Sequence, residues 1–342
     1  MSDLRLTFAA YVYLDRTRAL QTGQVRPAGI DLTFLPLDIG ELFRRMAQHV
    51  EFDVAELSTS TYMMMLGQGD DRLVGLPVFL SRAFRHSQIY VNAASGIERP
   101  EDLRGVDVGI PEYQMTAALW IRAFLEHDYG VSPTDLRWWY GGVEQPGYTE
   151  RRHHDPPPGV HLKEIPKDKW LTGMLESGEL SAYITAADPG PFRRRSPHVR
   201  RLFPNWREVE RAYFERTGFF PIMHMTVVRR DVYERNRWVI ESLMDALVEA
   251  KRRGLARLRN LGALAVTLPW LGAHLEEVDE LFGGDPFPYG FAQNQATLEA
   301  MTQYSYEQGL TPHKLAPEEL FPPEALGHPG DDLPSSRTLD IL

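Results

Sequence analysis

FDVAELSTSTYMMM, residues 52–65, decides the fold, because it passes directly from a strand pattern into a helix pattern. Residues 52–57 form a short apolar strand pattern, and Ser58, Thr59 and Ser60 are residue types that cap helix N-termini. The methionines that follow fit the buried face of a helix. This stretch therefore predicts a β-α unit with its cap residues at the carboxyl end of the strand.

The residues before this unit repeat the same alternation. Residues 4–10 and 30–35 predict strands, and residues 15–22 and 39–49 predict helices, the second capped by Asp38. A β-α-β-α-β-α order is typical of a doubly wound, mostly parallel sheet.

A second α/β pattern begins near residue 87, and the chain becomes mainly helical after residue 231. Two independent domains in series are compatible with this order. The alternative is a chain that crosses from one lobe to the other near residues 80–90 and returns near 220–230. We predict the alternative, a two-lobed α/β fold like that of type II periplasmic binding proteins, with mixed sheets and a ligand cleft between the lobes. Lobe one is predicted over residues 1–85 and 226–342, completed by the helical C-terminal region, and lobe two over residues 86–225.

The composition narrows the function classes. With 342 residues, 43% of them hydrophobic and 25% charged, the chain can bury two ordinary cores. The net charge of -10 disfavours nucleic acid as a partner. No apolar run is long enough to cross a bilayer and no export signal precedes the first strand, so we expect a cytoplasmic protein without a membrane partner. The lack of cysteine excludes disulfides, a thiol nucleophile and Cys-ligated zinc.

The first crossing, LSRAFRHS at residues 80–87, carries three cationic or titratable side chains. Arginine holds a carboxylate with two parallel hydrogen bonds, so Arg82 is a candidate anion anchor. If the stretch is extended, Arg82, Phe84 and His86 share one face. A solvated charge cluster at a turn is the alternative interpretation.

The second crossing, FFPIMHMTV at residues 219–227, places His224 inside an apolar strand pattern. Such a histidine is more often a hydrogen-bonded core residue than a catalyst. Because the two crossing strands are expected to lie side by side, we predict that His86, His224 and Arg82 converge in one cleft.

Further candidates lie where ligand-facing loops are expected. Residues 109–116 pass from a strand into a helix, whose N-terminus attracts anions. Taken alone, Glu112 is better explained as a favourable partner of the helix dipole. Ser58 and Thr59 are explained either as simple caps or as residues that also face the ligand. The remaining candidate substrate-binding residues are Thr116, at that helix start, and Tyr11 and Arg16, just past the first strand.

Four segments together resemble the 4,5-dihydroxyphthalate decarboxylase family: FLSRAFRH (79–86), GIPEY (109–113), GGVEQPG (141–147) and PIMH (221–224). The likeness extends from the first strand to about residue 310. The resemblance implies a type II periplasmic-binding fold and decarboxylation of an aromatic acid, with protocatechuate as the product from 4,5-dihydroxyphthalate.

Aryl decarboxylation requires a proton at the ring carbon that bears the carboxylate, and electron density from a hydroxyl para to it. One group must therefore accept the proton of this hydroxyl, and another must protonate the ring. Imidazoles suit both transfers, so His86 and His224 are the candidate acid and base, with Arg82 and Arg16 holding carboxylates. This scheme requires no cofactor and no metal, although a divalent ion is compatible with the sequence. The long helices also allow a homo-oligomer.

Two hypotheses follow from the same pocket. The first is a cytoplasmic lyase that decarboxylates a hydroxylated aromatic acid in phthalate catabolism. The alternative is a non-catalytic solute-binding protein for a small aromatic or other carboxylate. The missing export signal favours the enzyme.

Overall fold

The computed structural model describes residues 3–147 and 155–331. The strands are, in chain order, β1 Leu4–Ala10, β2 Ile30–Pro36, β3 Val54–Ser58, β4 Leu73–Arg82, β5 Ile89–Asn92, β6 Asp107–Ile110, β7 Arg137–Tyr140, β8 His161–Glu164, β9 Ala182–Ile184, β10 Val199–Arg201 and β11 Ile222–Arg229. The α-helices are α1 Arg18–Gln21, α2 Ile39–His49, α3 Thr59–Gly67, α4 Thr116–Tyr129, α5 Leu171–Ser177, α6 Gly190–Arg193, α7 Trp206–Thr217, α8 Arg230–Arg235, α9 Val239–Arg259, α10 Leu271–Phe282, α11 Gln295–Glu307 and α12 Pro323–Leu326.

Internal contacts divide the described residues into two units. Unit one contains residues 3–82, 222–299 and 316–331, and unit two contains residues 83–221 and 300–315. Residues 83–85, predicted in lobe one, lie in unit two, and residues 222–225, predicted in lobe two, lie in unit one. Residues 300–315 also differ from the prediction, which placed them in lobe one. Their contacts explain the difference, since Arg122 of α4 donates from Nε to Gln308 at 2.7 Å. The ligand cleft between the lobes stays a prediction, and residues 332–342 of predicted lobe one lie outside the described residues.

Unit one contains a five-stranded sheet in the order β2-β1-β3-β11-β4. Strand β1 is parallel to β2 and β3, whereas β11 is antiparallel to both β3 and β4. The β-α unit predicted from residues 52–65 is present as β3 and α3. Every residue of β3 is buried, so this strand lies at the centre of the unit.

The helices of unit one follow their sequence patterns. The Asp38 carboxylate accepts a hydrogen bond from the Gly40 N–H at 2.8 Å and caps α2. One face of α2 then buries Leu42, Phe43 and Met46. Helix α3 is buried along residues 59–65, as expected for a helix without a polar face.

Unit two contains a six-stranded sheet in the order β10-β5-β9-β6-β7-β8. Strands β6, β7 and β8 are mutually parallel and β9 is parallel to β6, whereas β5 is antiparallel to β9 and the edge strand β10 is antiparallel to β5. Helix α4 begins at Thr116, with five residues between it and β6, and is capped at its C-terminus by Gly130 in the left-handed conformation, with a φ of 65°. The loops after β6 and β7 therefore lie at the carboxyl edge of this sheet, where α/β proteins bind ligands.

Candidate active site

Glu56 is a carboxylate in the middle of the buried strand β3, and its side chain has no exposed surface. Its Oε2 atom accepts a hydrogen bond from the Tyr11 N–H at 3.0 Å. Its Oε1 atom accepts a second one from the Tyr13 hydroxyl at 2.6 Å. A buried charge needs such partners, because an unpaired one is costly.

His224 lies on β11, next to β3, and its Nδ1 is 2.7 Å from Glu56 Oε1. An ionised carboxylate only accepts hydrogen bonds, so in a contact with ionised Glu56 the hydrogen is on Nδ1 and Nε2 is left for another partner. Phe43 holds the ring edge-on at a centroid distance of 4.8 Å. The strand register shifts on both sides of His224, an irregularity of the kind that often re-aims side chains at functional sites. The imidazole keeps 18% of its surface exposed.

Tyr13 contributes a hydroxyl that stays protonated. Burial raises the pKa of Tyr13 far above its ordinary value, and the adjacent Glu56 carboxylate raises it further. The phenol therefore acts as a hydrogen-bond donor to Glu56 and not as a base.

Arg16 has its guanidinium held between two aromatic rings. Its Cζ lies 4.3 Å from the centroid of Tyr13 and 4.2 Å from that of Phe287. Its Nε donates to Asp15 Oδ1 at 3.1 Å. Two rings on its faces leave the edge of a planar guanidinium for hydrogen bonding, which is the edge that binds a carboxylate.

Tyr11, Ser58 and Thr59 also belong to unit one. The Tyr11 ring is half exposed and packs edge-on against Tyr13 at 5.2 Å. Ser58 is the N-cap residue of α3 and pairs with His224 across the strands, and Thr59 opens the helix. Both of these side chains are buried. Unit one thus brings together Tyr11, Arg16, Ser58, Thr59 and His224.

Arg82 ends β4 in the interior of unit one. Its Nη2 donates to the Pro288 carbonyl at 3.2 Å and to Asn294 Oδ1, and its guanidinium lies over Phe79. Burial lowers the pKa of Arg82 to about 9. Because its own chain supplies acceptors, Arg82 fits an anion anchor less well than Arg16 does.

His86 does not continue the strand of Arg82, as the sequence interpretation required. Strand β4 ends at Arg82, and His86 begins a short 3-10 turn before β5. The alternation that would put Arg82, Phe84 and His86 on one face is therefore wrong. The physical reason is a contact distant in sequence, since the Ala83 N–H bonds the Pro221 carbonyl and the chain then turns.

The His86 ring is packed among aromatic residues of unit two. It stacks on Phe124 at 3.9 Å and meets Phe203 and Tyr213 at 5.6 and 5.1 Å. Burial, and to a smaller extent the Arg216 charge, lowers the pKa of His86 to about 3. The ring borders an open cavity of about 590 Å³ that Arg216 also lines. An imidazole with so low a pKa is neutral near pH 7, so it does not act as a general acid there.

Glu112 and Thr116 lie in the loop between β6 and α4 and at the first residue of that helix. Both are buried. Phe124, on which His86 stacks, is about 12 Å further along the helix axis from Thr116. The imidazole is thus packed well down the helix from its N-terminal turn.

The described residues contain no cluster of three or more His, Asp or Glu side chains arranged to hold a metal ion. None of the helices in this part of the chain is long and apolar enough to span a membrane. Metal use and a cytoplasmic location stay predictions.

The chain is similar to two curated enzymes, both called 4,5-dihydroxyphthalate decarboxylase. It is 38% identical to that of Comamonas testosteroni over 95% of this chain and 98% of the relative. It is 40% identical to that of Pseudomonas putida over 59% of this chain and 78% of the relative. The chain belongs to the 4,5-dihydroxyphthalate decarboxylase family. The predicted membership and the predicted lyase class are confirmed, and no family model matches the chain.

Solved structures confirm the fold of this family member. The sulfonate-binding protein SsuA of Methylobacillus flagellatus aligns over 95% of this chain and 94% of its own, with a TM-score of 0.58 and 14% identity. The Escherichia coli SsuA gives a TM-score of 0.54 over 94% and 98%. The desulfurization enzyme DSZB, in complex with biphenyl-2-sulfinic acid, gives 0.53 over 95% and 98%. These likenesses establish the type II periplasmic-binding-protein-like fold and nothing about the ligand.

Two of the segments that carried the family resemblance lie at the carboxyl edge of the second sheet. GIPEY (109–113) contains the last two residues of β6 and the start of the loop after it, and GGVEQPG (141–147) follows β7. Glu144 fixes the second segment, since its carboxylate accepts the Gly190 N–H at 2.7 Å and the Thr172 hydroxyl at 3.1 Å. Glu112 and Thr116 therefore have a location suited to ligand binding, while their roles stay predictions.

The sequence interpretation missed Glu56 and Tyr13. A signal for Glu56 was present, because it is a lone carboxylate within the apolar run 54–57. Tyr13 carried no comparable signal, since its role follows only from its hydrogen bond to Glu56.

Proposed function

We propose that this enzyme converts 4,5-dihydroxyphthalate to protocatechuate and CO2, with His224 as the group that protonates the ring. The observation that carries the proposal is the buried Glu56 carboxylate 2.7 Å from His224 Nδ1. The same carboxylate accepts the hydroxyl of Tyr13, whose ring supports Arg16. An acid/base group and a carboxylate-binding group thus follow from one set of contacts.

The substrate has two adjacent carboxylates, each para to one hydroxyl. In the proposed reaction, the Arg16 guanidinium holds the carboxylate that stays, through two parallel hydrogen bonds. The hydroxyl para to the departing carboxylate lends electron density to the ring carbon that bears this carboxylate. That carbon accepts a proton from Nε2 of the His224 imidazolium. The carbon–carbon bond then breaks, its electrons restore the aromatic ring, and CO2 leaves.

Glu56 has two tasks in this scheme. It fixes the ring of His224 with Nδ1 protonated, and its negative charge offsets the imidazolium charge before proton transfer. After the reaction, His224 takes one proton from solvent. This proton replaces the one that His224 gave to the ring carbon. The scheme includes no redox or electron-sink step, so dialysis against EDTA should leave kcat unchanged.

Assays of CO2 release and protocatechuate formation test the proposal. The His224→Gln variant should lower kcat about 10²- to 10⁴-fold, the usual contribution of a positioned acid or base. His274→Gln, at an exposed histidine of α10, is the matched control and should keep full activity. Absence of protocatechuate with the unaltered enzyme would refute the substrate. A normal kcat in His224→Gln would refute the assignment of the acid.

A further inference from the structure

Lys251 of α9 is a buried lysine at the centre of a polar network in unit one. Its side chain is 1% exposed. Its Nζ donates to Asp285 Oδ2 at 2.7 Å, to the Phe287 carbonyl at 2.6 Å and to Asp331. The ammonium also lies 4.0 Å from the ring centroid of Tyr289. All of these contacts lie outside the Glu56–His224 pair, and the proposed reaction does not use them.

The network fixes the backbone of Phe287 at both of its polar groups. Lys251 holds the carbonyl oxygen, and Asp285 Oδ1 accepts the Phe287 N–H at 2.8 Å. The phenyl ring of this residue is the face on which the Arg16 guanidinium lies, at 4.2 Å. The position of one wall around Arg16 therefore depends on Lys251.

The same helix also supports the segment that carries Arg16. Gly254 lies one turn after Lys251 on α9, and the backbone of Asp15 packs directly on it. A Cβ atom at Gly254 would collide with the Asp15 carbonyl oxygen, so the close approach requires glycine. Helix α9 thus fixes both the chain that bears Arg16 and the ring that covers it.

We propose that Lys251 is a positioning residue for substrate binding, which acts by holding Phe287 against the Arg16 guanidinium. This inference rests on the proposed role of Arg16 as the carboxylate anchor. Arginine in a fixed plane loses little side-chain freedom when it binds a carboxylate, so a loosened wall weakens binding and leaves proton transfer intact.

Steady-state kinetics of the full-length chain with 4,5-dihydroxyphthalate test the proposal. Phe287→Leu keeps the backbone hydrogen bonds and removes the aromatic face, and it should raise KM about three- to twentyfold with kcat within about twofold. Lys251→Met should do the same. Lys251→Met leaves buried carboxylates without their cation and can fail to fold. Asp285→Asn is therefore included as a second variant, which keeps the ion pair between Lys251 and Asp331. Phe34→Leu, which changes a half-buried phenylalanine packed on Phe8, is the matched control.

A double-mutant cycle separates positioning from a general loss of structure. In an Arg16→Ala background, Phe287→Leu and Asp285→Asn should change KM less than twofold, because the group they position is gone. The proposal would be overturned if the effect of Arg16→Ala on KM and that of the second substitution were fully additive. It would also be overturned if Phe287→Leu and Asp285→Asn left KM unchanged while Arg16→Ala raised it. An unchanged KM in Arg16→Ala itself would instead remove the anchor from the proposed function, and the positioning role with it.

Discussion

The two histidines that the sequence pointed to lie in opposite environments. His224 has Nδ1 2.7 Å from a buried carboxylate, Glu56, and keeps part of its ring exposed. His86 is stacked on Phe124, and its buried Nδ1 has no hydrogen-bond partner among the described residues. The comparison shows that the contacts of a histidine, and not its place beside a crossing strand, decide which chemistry it can carry out.

The physical difference is the charge that each site tolerates. Burial without a compensating anion disfavours the imidazolium of His86 and lowers its pKa to about 3. The adjacent Glu56 carboxylate offsets a positive charge on His224. The His224 site therefore has an anion beside the ring, whereas the His86 site favours the neutral ring.

The largest effect should come from removing the charge next to His224. Glu56→Gln keeps the size of the side chain, but it removes the anion and offers an amide N–H toward Nδ1. We expect kcat to fall about 10²- to 10³-fold, as expected when the residue that orients a catalytic histidine is altered. Glu51→Gln, at an exposed carboxylate paired with Arg45, is the control for the same chemical change. A decrease smaller than about threefold would show that Glu56 serves only the fold.

The sequence was sufficient for the fold because the strand and helix patterns alternate without conflict. It also predicted that His224, a single imidazole in an apolar run, lies within a strand, which is β11 in the structure. It could not identify Glu56 as the partner, because their pairing depends on the antiparallel register of β11 against β3, in which Thr226 lies opposite Glu56. That register follows from topology and not from a local pattern.

The error at His86 has a different origin. The alternation through residues 80–87 favoured an extended strand, and the strand does continue as far as Arg82. Beyond it, a hydrogen bond from the Ala83 N–H to the Pro221 carbonyl precedes the turn that contains His86. Non-local contacts of this kind override strand propensity, which depends strongly on context.

The second-largest effect should be on the stability of the fold at acidic pH. It tests the claim that His86 is buried as a neutral ring. The pKa of His86 is lowered from its ordinary value of 6.5 to about 3 on folding, so the unfolded chain binds the proton more readily. The free energy of unfolding should therefore fall as the pH falls from 6.5 toward 3, by about 2 kcal/mol at pH 5 from this group.

The His86→Phe variant should lose this part of the pH dependence, which denaturant titrations at pH 7 and pH 5 measure. His198→Phe, at an exposed histidine, should keep the pH dependence of the unaltered protein. We also expect kcat of His86→Phe to stay within about threefold at pH 7. A loss comparable to that of His224→Gln would return His86 to the reaction and end the contrast between the two sites.

The smallest effect should come from Tyr13→Phe. This variant tests whether the Tyr13 hydroxyl acts on His224 through Glu56. This change removes the hydroxyl that donates to Glu56 Oε1 and keeps the ring that supports Arg16. One hydrogen bond to a charged group contributes about 1.5 kcal/mol or somewhat more, and only part of it should differ between the ground state and the transition state. We expect a three- to tenfold lower kcat with an unchanged KM. Tyr62→Phe, which deletes a buried hydroxyl bonded to the Leu320 carbonyl, controls for the loss of such a group in the same unit. If Tyr13→Phe instead raised KM and left kcat unchanged, the hydroxyl would belong to substrate binding with Arg16, and Glu56 would act on His224 alone.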